Sequence, residues 1–309
     1  METPSAAIVR HAAVVPDFLA IGHVTRDLLP DGGWRLGGTV AFAALTATRL
    51  GLRAAIVTSA PPDVLAAMDA VLPDIALSVV PSHEATTFEN IYSSLGRQQF
   101  LRGRATSLTL DAVPPAWRDA PMVLLGPVAQ EIGADIVTAF PHSLVAATPQ
   151  GWLRQFDARG GVSPSRLAHA GTLLSQVRAL ILSREDVQPQ PPSVAAGDPS
   201  QRADTADAVI GAWAQAVPLI AVTCGAEGAY LWEHGIRSDV YAGYPAHEVD
   251  PTGAGDVFAT AFLCALREIG NAASAVDFAN RVAACSVEAP GGEGIPTREM
   301  LAARWNIPG

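Results

Sequence analysis

The chain has 309 residues, 49% of them hydrophobic and only 16% charged, which allows a large buried core and excludes a mainly disordered chain. A formal net charge of −10 with scattered basic residues excludes a nucleic-acid binder that clusters cations against phosphates. All 20 basic residues are arginine, so a Walker A loop, the lysine clamp of protein kinases and Schiff-base chemistry are excluded as usually built.

Genomic base composition is the plain explanation for the missing lysine. Cys224, Cys264 and Cys285 lie far apart with no CxxC, the pattern of buried thiols in a reducing compartment. The amino-terminal "AAIVRHAAVV" is interrupted by Arg10 and His11, which spoils a signal-peptide core. No apolar run reaches the roughly 18 residues of a membrane span. A soluble, cytoplasmic protein is expected.

In chain order, short aliphatic runs read as buried strands: "FLAIGHV" (18–24), "AAIVTS" (54–59), "MVLLGPV" (122–128), "LVAAT" (144–148), "ALILS" (179–183) and "LIAVTCG" (219–225). Amphipathic segments lie between them, including 39–50 and 204–216, where Ala206, Val209, Ile210 and Trp213 recur at helical spacing and read as core. This alternation predicts a doubly wound α/β fold with a mostly parallel sheet covered by helices. Two segments break it. "TTFENIYSSLGRQQFLRGRA" (86–105) reads as a partly polar hairpin around "SSLG", placed like a flap over one end of the sheet. "VQPQPPSVAAGDPS" (187–200) reads as a surface loop. The chain shows no internal repeat and no domain boundary.

The chemistry is carried by "EVDPTGAGDVFATAFLCAL" (248–266). Val257, Phe258, Ala261, Phe262, Cys264, Ala265, Leu266 and Ile269 give a helix over 253–269 with a broad apolar face, stopped by Gly270. Its first turn is "GAGD". Unpaired amides at a helix start favour a phosphate, and glycine lets the anion approach the backbone closely. Asp256, projecting from that turn, could accept a proton from a hydroxyl beside the anion. The plainer alternative is a tight connection with an aspartate that stabilises any helix start. A dinucleotide fingerprint fails here, because Phe258 stands where the third glycine of GxGxxG would be.

"DPTGAGDVFATAFL" resembles the second signature of the ribokinase-like, or PfkB, carbohydrate kinases. Further segments resemble the family in the same order: "GHVTRD" (22–27), "LGGTVAFAALTATRLG" (36–51), "VTCGAEGAYLW" (222–232) and "FANRVAACSVEAPGGEGIPT" (278–297). The resemblance runs from about Phe18 to Thr297. It implies a single ribokinase-like kinase domain over 1–309, with a β-lid from about 24–38 and 86–105 that excludes water and leaves open a homodimer through the lid. It implies that Asp256 is the catalytic base and that the Gly253, Ala254 and Gly255 amides form the anion hole. Asp27, Gly37 and Gly38 would meet the substrate, and Thr223, Gly225, Gly228 and Asn280 the nucleotide. The implied cofactors are ATP and magnesium, with potassium as a further requirement in many relatives, near the anion hole.

The sequence departs from the family pattern in places. Phe42 stands where many members have an Asn that reads sugar hydroxyls, so it is expected as an apolar wall of the substrate site. "SREDV" replaces Asn-x-x-Glu near the metal, leaving Asp186 or Glu185 to orient magnesium-bound water. Arg154 of "PQGWLR" faces either the substrate or solvent. "GGTVAF", "TTFENIY" and "QGWLR" together look more like the branch with inositol kinase-like members than like ribokinase proper. The expected activity is phosphoryl transfer from ATP to a hydroxyl of a small sugar, polyol or nucleoside. The alternative is a ligand-binding or regulatory protein without turnover on the same scaffold. A phosphorylated acceptor would need its own cations, for which Arg97, Arg102 and Arg104 in the hairpin are the candidates.

Overall fold

A computed structural model describes residues 7–10, 14–93, 96–167, 170–187 and 199–305. Positions 188–198 of the expected surface loop and 94–95 of the hairpin turn lie outside the described residues. In chain order the elements begin with β1 (Ile8–Arg10), β2 (Phe18–Ile21), β3 (Thr25–Leu28), β4 (Trp34–Gly37), α1 (Thr39–Arg49), β5 (Ala54–Ala60), α2 (Pro62–Val71), β6 (Ala76–Pro81), β7 (Thr86–Ser93) and β8 (Gly96–Gly103). They continue with β9 (Met122–Leu125), α3 (Ala134–Val137), β10 (Leu144–Ala147), β11 (Arg154–Phe156), β12 (Val162–Pro164), α4 (Ala170–Leu174), β13 (Ala179–Ser183), α5 (Arg184–Val187) and α6 (Pro199–Trp213). The last are β14 (Leu219–Thr223), β15 (Gly228–Glu233), β16 (Ile236–Arg237), β17 (Tyr241–Ala242), α7 (Ala254–Ile269), α8 (Ala272–Ser286) and α9 (Arg298–Trp305).

The main sheet runs β1-β6-β5-β2-β9-β10-β13-β14-β15-β16, with β17 also paired to β15. From β6 to β14 every neighbour is parallel, and the antiparallel strands are confined to the two ends. The strands are buried on both faces, which is why they read as unbroken aliphatic runs. Alternate residues of β2 separate two cores: Phe18 and Ala20 pack with α1, α7 and α8, whereas Leu19 and Ile21 pack with Trp117, Ile136 and Ile210. The broad apolar face of α7 reaches the first core through Val257, Phe258, Ala261 and Phe262. Two readings of helix faces need correction. Val209 and Ile269 are exposed, because each sits at the margin of its helix's apolar stripe, where no neighbouring element covers it.

A second, four-stranded sheet, β4-β3-β7-β8, stands over one end of the first. Phe88 on its inner face packs with Val128 and Ala129, and Leu101, Phe156 and Val162 close around them. The β11–β12 hairpin supports this lid from outside: Leu101 N–H donates to the Gly160 carbonyl at 2.8 Å. At Gly160 a Cβ would come within 2.1 Å of the Leu101 carbonyl oxygen, so the contact requires glycine.

The chain leaves β2 toward β5 and β6, then returns to pair β9 on the other side of β2. That reversal opens a crevice at the carboxyl ends of β2 and β9, the position where open α/β sheets place ligands. Glu131, 1% exposed, holds the crevice in shape. Its carboxylate accepts from the amides of His23 (2.9 Å), Val128 (3.0 Å) and Ala129 (2.7 Å), joining the loops that follow both strands. The buried His23 ring adds bonds to Thr86 Oγ1 (2.6 Å) and the Thr106 carbonyl (2.9 Å), and burial lowers its pKa, so it is held neutral. Replacing Glu131 by Leu leaves three buried amides without an acceptor and is expected to destabilise the fold by roughly 3–5 kcal/mol, measured by urea unfolding. A loss below about 1 kcal/mol would contradict the clamp.

Candidate active site

Two helix starts meet at the crevice. Helix α1 begins after Gly38, whose φ of 94° and closeness to the His23 carbonyl (2.6 Å from a built Cβ) suit only glycine. Its first residue, Thr39, is buried and seated on Gly126, where a Cβ would meet the Thr39 methyl at 2.5 Å. Helix α7 begins after Gly253, in the left-handed region with φ 80°. The 16-residue α7 directs its positive end at the same space.

Asp256, the third residue of α7, is half-buried. Desolvation raises its pKa to about 6, opposed by a hydrogen bond from the Thr39 hydroxyl, with Asp186 and Asp27 raising it further and Arg154 lowering it. Protein therefore surrounds the carboxylate on most sides while one side keeps access to solvent. Four charged side chains from widely separated segments, Asp27, Arg154, Asp186 and Asp256, share one electrostatic neighbourhood.

Each is placed by local structure. Asp27 lies on β3, where Thr25 Oγ1 donates to its Oδ1 at 2.9 Å and its other oxygen packs onto Gly37. A Cβ at Gly37 would lie 2.3 Å from that oxygen, which gives this glycine its role. Arg154 starts β11, half-buried, with Nη1 donating to the Val128 carbonyl at 3.3 Å and its guanidinium 5.5 Å from the Phe88 ring. Its charge lies close enough to Asp186 and Asp256 to lower the pKa of both. Asp186 follows β13 and accepts from the Ser183 amide (2.9 Å) and Gln150 Nε2 (3.3 Å). Burial pushes its pKa up, against those bonds and Arg154. Glu185 is exposed beside it.

A cavity of about 540 Å³ extends from Arg154, Glu185 and Asp186 to Gln98, Gln99 and Phe100 of the lid. Its acids fit a magnesium ion bound mainly through phosphate oxygens and water, with one or two carboxylates behind it. Among the described residues no group of three or more His, Cys, Asp or Glu could hold a metal ion. In the turn before and at the start of α7, Gly255 is exposed with open space around it, and Ala254 N–H donates to the Pro251 carbonyl at 3.2 Å.

Three expected site residues are placed differently. Phe42 is 8% exposed and lies under Gly253, where a Cβ would meet the ring at 2.5 Å, so the ring packs beneath the turn that starts α7. Asn280 is 5% exposed and donates to the carbonyls of Tyr241 (3.1 Å) and Ala242 (3.2 Å), fastening β17 to α8. Gly228 is filled in by β17, with the Tyr241 carbonyl oxygen 2.1 Å from a built Cβ, whereas Gly225 faces open space. Thr223 ends β14 half-buried, near the Leu182 carbonyl at 3.4 Å. Two of the three hairpin arginines are engaged: Arg102 pairs with Glu89 and Arg104 donates to the Ala129 carbonyl. The Arg97 side chain lies outside the described residues. Thr39 and Gln150, which bond to two of the acids, carried no recognisable signal, since a threonine in a helix start and a glutamine in a short 3-10 turn are ordinary there.

Residues 193–298 match the pfkB family carbohydrate kinase profile. Over 81 residues the chain is 40% identical to the ribokinase of Bacillus subtilis (strain 168), a match covering 26% of this chain and 27% of that relative's length. Solved structures extend the likeness in fold. A pyrophosphate-dependent kinase in the ribokinase family, complexed with a pyrophosphate analog and myo-inositol, superposes with a TM-score of 0.75 at 19% identity, covering 93% of this chain and 99% of that one. The Arabidopsis thaliana ribokinase complexed with ribose and ATP gives 0.71 at 18% identity, covering 96% and 100%.

Two stability outcomes follow from this geometry. Asp256→Asn removes a carboxylate whose ionisation the fold penalises, so it is expected to raise stability by up to about 3 kcal/mol. The sign is set by the raised pKa: both states are protonated below 3.8, the wild type loses stability as pH rises through about 6, and the variant's advantage is full above that. Equal unfolding midpoints for both proteins at pH 8 would contradict it. Gly253→Ala places a methyl group against Phe42 in a left-handed turn and is expected to cost about 1–3 kcal/mol. Adding Phe42→Leu should recover part of that loss in a double-mutant cycle, and strict additivity would separate the two residues.

Proposed function

We propose that this chain, in which the pfkB family of ribokinase-like carbohydrate kinases is recognisable in both sequence and fold, transfers the γ-phosphoryl group of ATP to a hydroxyl of a small neutral polyol or sugar. The observation that carries this reading is the shared electrostatic neighbourhood of Asp27, Arg154, Asp186 and Asp256, with Asp256 and its hydrogen-bond partner Thr39 each in the first turn of a helix. Phosphoryl transfer asks mainly for positioning and charge stabilisation, and this arrangement offers both.

Asp27 accepts a hydrogen bond from one acceptor hydroxyl while Asp256 accepts one from the hydroxyl that reacts. As the acceptor oxygen bonds to phosphorus and the bond to the leaving diphosphate breaks, Asp256 takes the proton. The amides of Gly253, Ala254 and Gly255 receive the equatorial phosphoryl oxygens, and Arg154 balances the charge gathered between Asp186 and Asp256. Glu185 and Asp186 would hold a magnesium ion, which would supply charge neutralisation for the donor phosphates. The lid, with Phe88 packed beneath it, keeps water from competing as acceptor. A neutral acceptor is favoured because Arg102 and Arg104 already have partners, leaving no described cation pair for a second phosphate.

Inorganic pyrophosphate is a second reading for the donor. The engagement of Asn280 with β17 favours it, since that amide was the expected adenine-side contact. The pyrophosphate-dependent relative shares the fold. Both donors present the same phosphoanhydride to the anion hole.

The test is a panel of inositols, hexoses, pentoses and nucleosides with ATP or pyrophosphate and magnesium, monitoring phosphorylated product. Turnover with at least one pair is expected, and Asp256→Asn should lower kcat by roughly 10²–10⁴-fold while leaving donor binding intact. Acceptor binding without product from either donor would favour the non-catalytic alternative. Unchanged kcat in Asp256→Asn would remove that residue from the chemistry.

A further inference from the structure

The loop leading into the anion hole is fastened to the lid by one residue. Arg35 on β4 stands opposite Asp27 in the β3–β4 pairing, so the two side chains share a face of the lid. Asp27 stays at the crevice, while Arg35 reaches the loop before α7. Its Nη1 donates to Asp250 Oδ2 at 3.0 Å and its Nη2 to Thr252 Oγ1 at 2.9 Å. The same Asp250 accepts from the Thr252 amide on Oδ1 (3.0 Å) and from the Gly291 amide on Oδ2 (3.1 Å). One carboxylate thus gathers the lid, the loop at 250–252 and the turn at 291, directly before Gly253.

Potassium near the anion hole was an expectation of the family resemblance, and the residues present do not fit it at this carboxylate. A monovalent ion on an Asp250 oxygen would sit beside the Arg35 guanidinium, already 3.0 Å from Oδ2, and repulsion between the two positive charges opposes it. Burial works against ionisation of Asp250, yet the Thr252 and Gly291 bonds and Arg35 bring its pKa down to about 2. The Asp250 side chain is 17% exposed and that of Arg35 41%, so the pair is partly shielded from water and its attraction is not merely that of a surface ion pair.

We propose that Arg35 is the resident cation of this loop: a positioning residue, borne by the lid, that holds the Gly253–Gly255 amides in register and makes the protein independent of monovalent cations. A guanidinium suits the task because its planar fork addresses two acceptors at fixed spacing, which an ammonium or a free ion does not. Lid and anion hole are then mechanically one unit, so the acceptor-binding Asp27 and the phosphoryl-binding turn keep a constant separation. The kinetic part of this inference rests on the phosphoryl-transfer reading. The structural part does not.

The experiment compares wild type, Arg35→Met and Arg35→Lys in buffers whose only monovalent cation is tetramethylammonium or potassium. Amide hydrogen exchange over residues 250–256 is read first, on the whole protein without substrate. Wild type should show the same protection in both buffers. Arg35→Met should exchange faster in tetramethylammonium and be reprotected by potassium, with Arg35→Lys between the two. For whichever donor and acceptor turn over, kcat of Arg35→Met should fall on the order of 10- to 100-fold, with a smaller change in acceptor KM and partial recovery in potassium. Wild-type protection or turnover that rises several-fold with potassium would overturn the inference, as would Arg35→Met exchanging like wild type or failing to respond to potassium. If no pair turns over, the phosphoryl-transfer reading fails while the exchange measurement still decides the role of Arg35.

Discussion

The architecture serves one electrostatic constraint: a carboxylate kept short of water at a helix start, with a second helix start facing it. Asp256 could ionise comfortably at any exposed helix amino terminus, and such a group would be a poor base at neutral pH. In this fold, desolvation and the nearby Asp186 and Asp27 raise its pKa, while the Thr39 hydroxyl and Arg154 limit the rise. The result lies close to the operating range of a general base. Small residues make the arrangement geometrically feasible. Gly126 lets Thr39 approach, Gly37 admits the Asp27 carboxylate, and Gly253 turns the chain over the Phe42 ring.

Rigid supports lie behind these contacts. The Glu131 carboxylate fixes the two strand ends that define the crevice, and the β11–β12 hairpin buttresses the lid that covers it. Arg35 links the lid to the loop that precedes α7. The candidate site is therefore held by packed strands and helices even though its residues sit on loops and helix starts, an arrangement that preserves the distances between them.

Much of this was legible in the sequence because the relevant forces are local. Six buried strands showed themselves as aliphatic runs, since a parallel sheet covered on both faces has no polar side to display. The α7 start was legible because a glycine before an apolar run of helical spacing, and Gly270 after it, mark both ends of the helix. Asp27, Arg154 and Asp186 could be singled out only by family resemblance, and their convergence depends on contacts across more than a hundred residues. Phe42 and Asn280 show the limit of motif reasoning. A motif position fixes a residue's place on the backbone, but packing decides whether its side chain meets a ligand or another part of the chain. Phe42 was drawn under Gly253 by burial of its ring, and the Asn280 amide was drawn to the β17 carbonyls, which needed donors. Thr39, Gln150, Arg35 and Glu131 are visible only in three dimensions, because each bonds to a partner remote in sequence or to an ordinary backbone group.

The most direct measurement of the central claim is the titration of the Asp256 carboxyl itself, followed by carbon-13 NMR of aspartate-labelled protein and assigned by the signal lost in Asp256→Asn. The account predicts a midpoint of about 6, well above an ordinary aspartate. A midpoint near 4 would mean that the carboxylate is solvated like any surface acid, and would contradict the account.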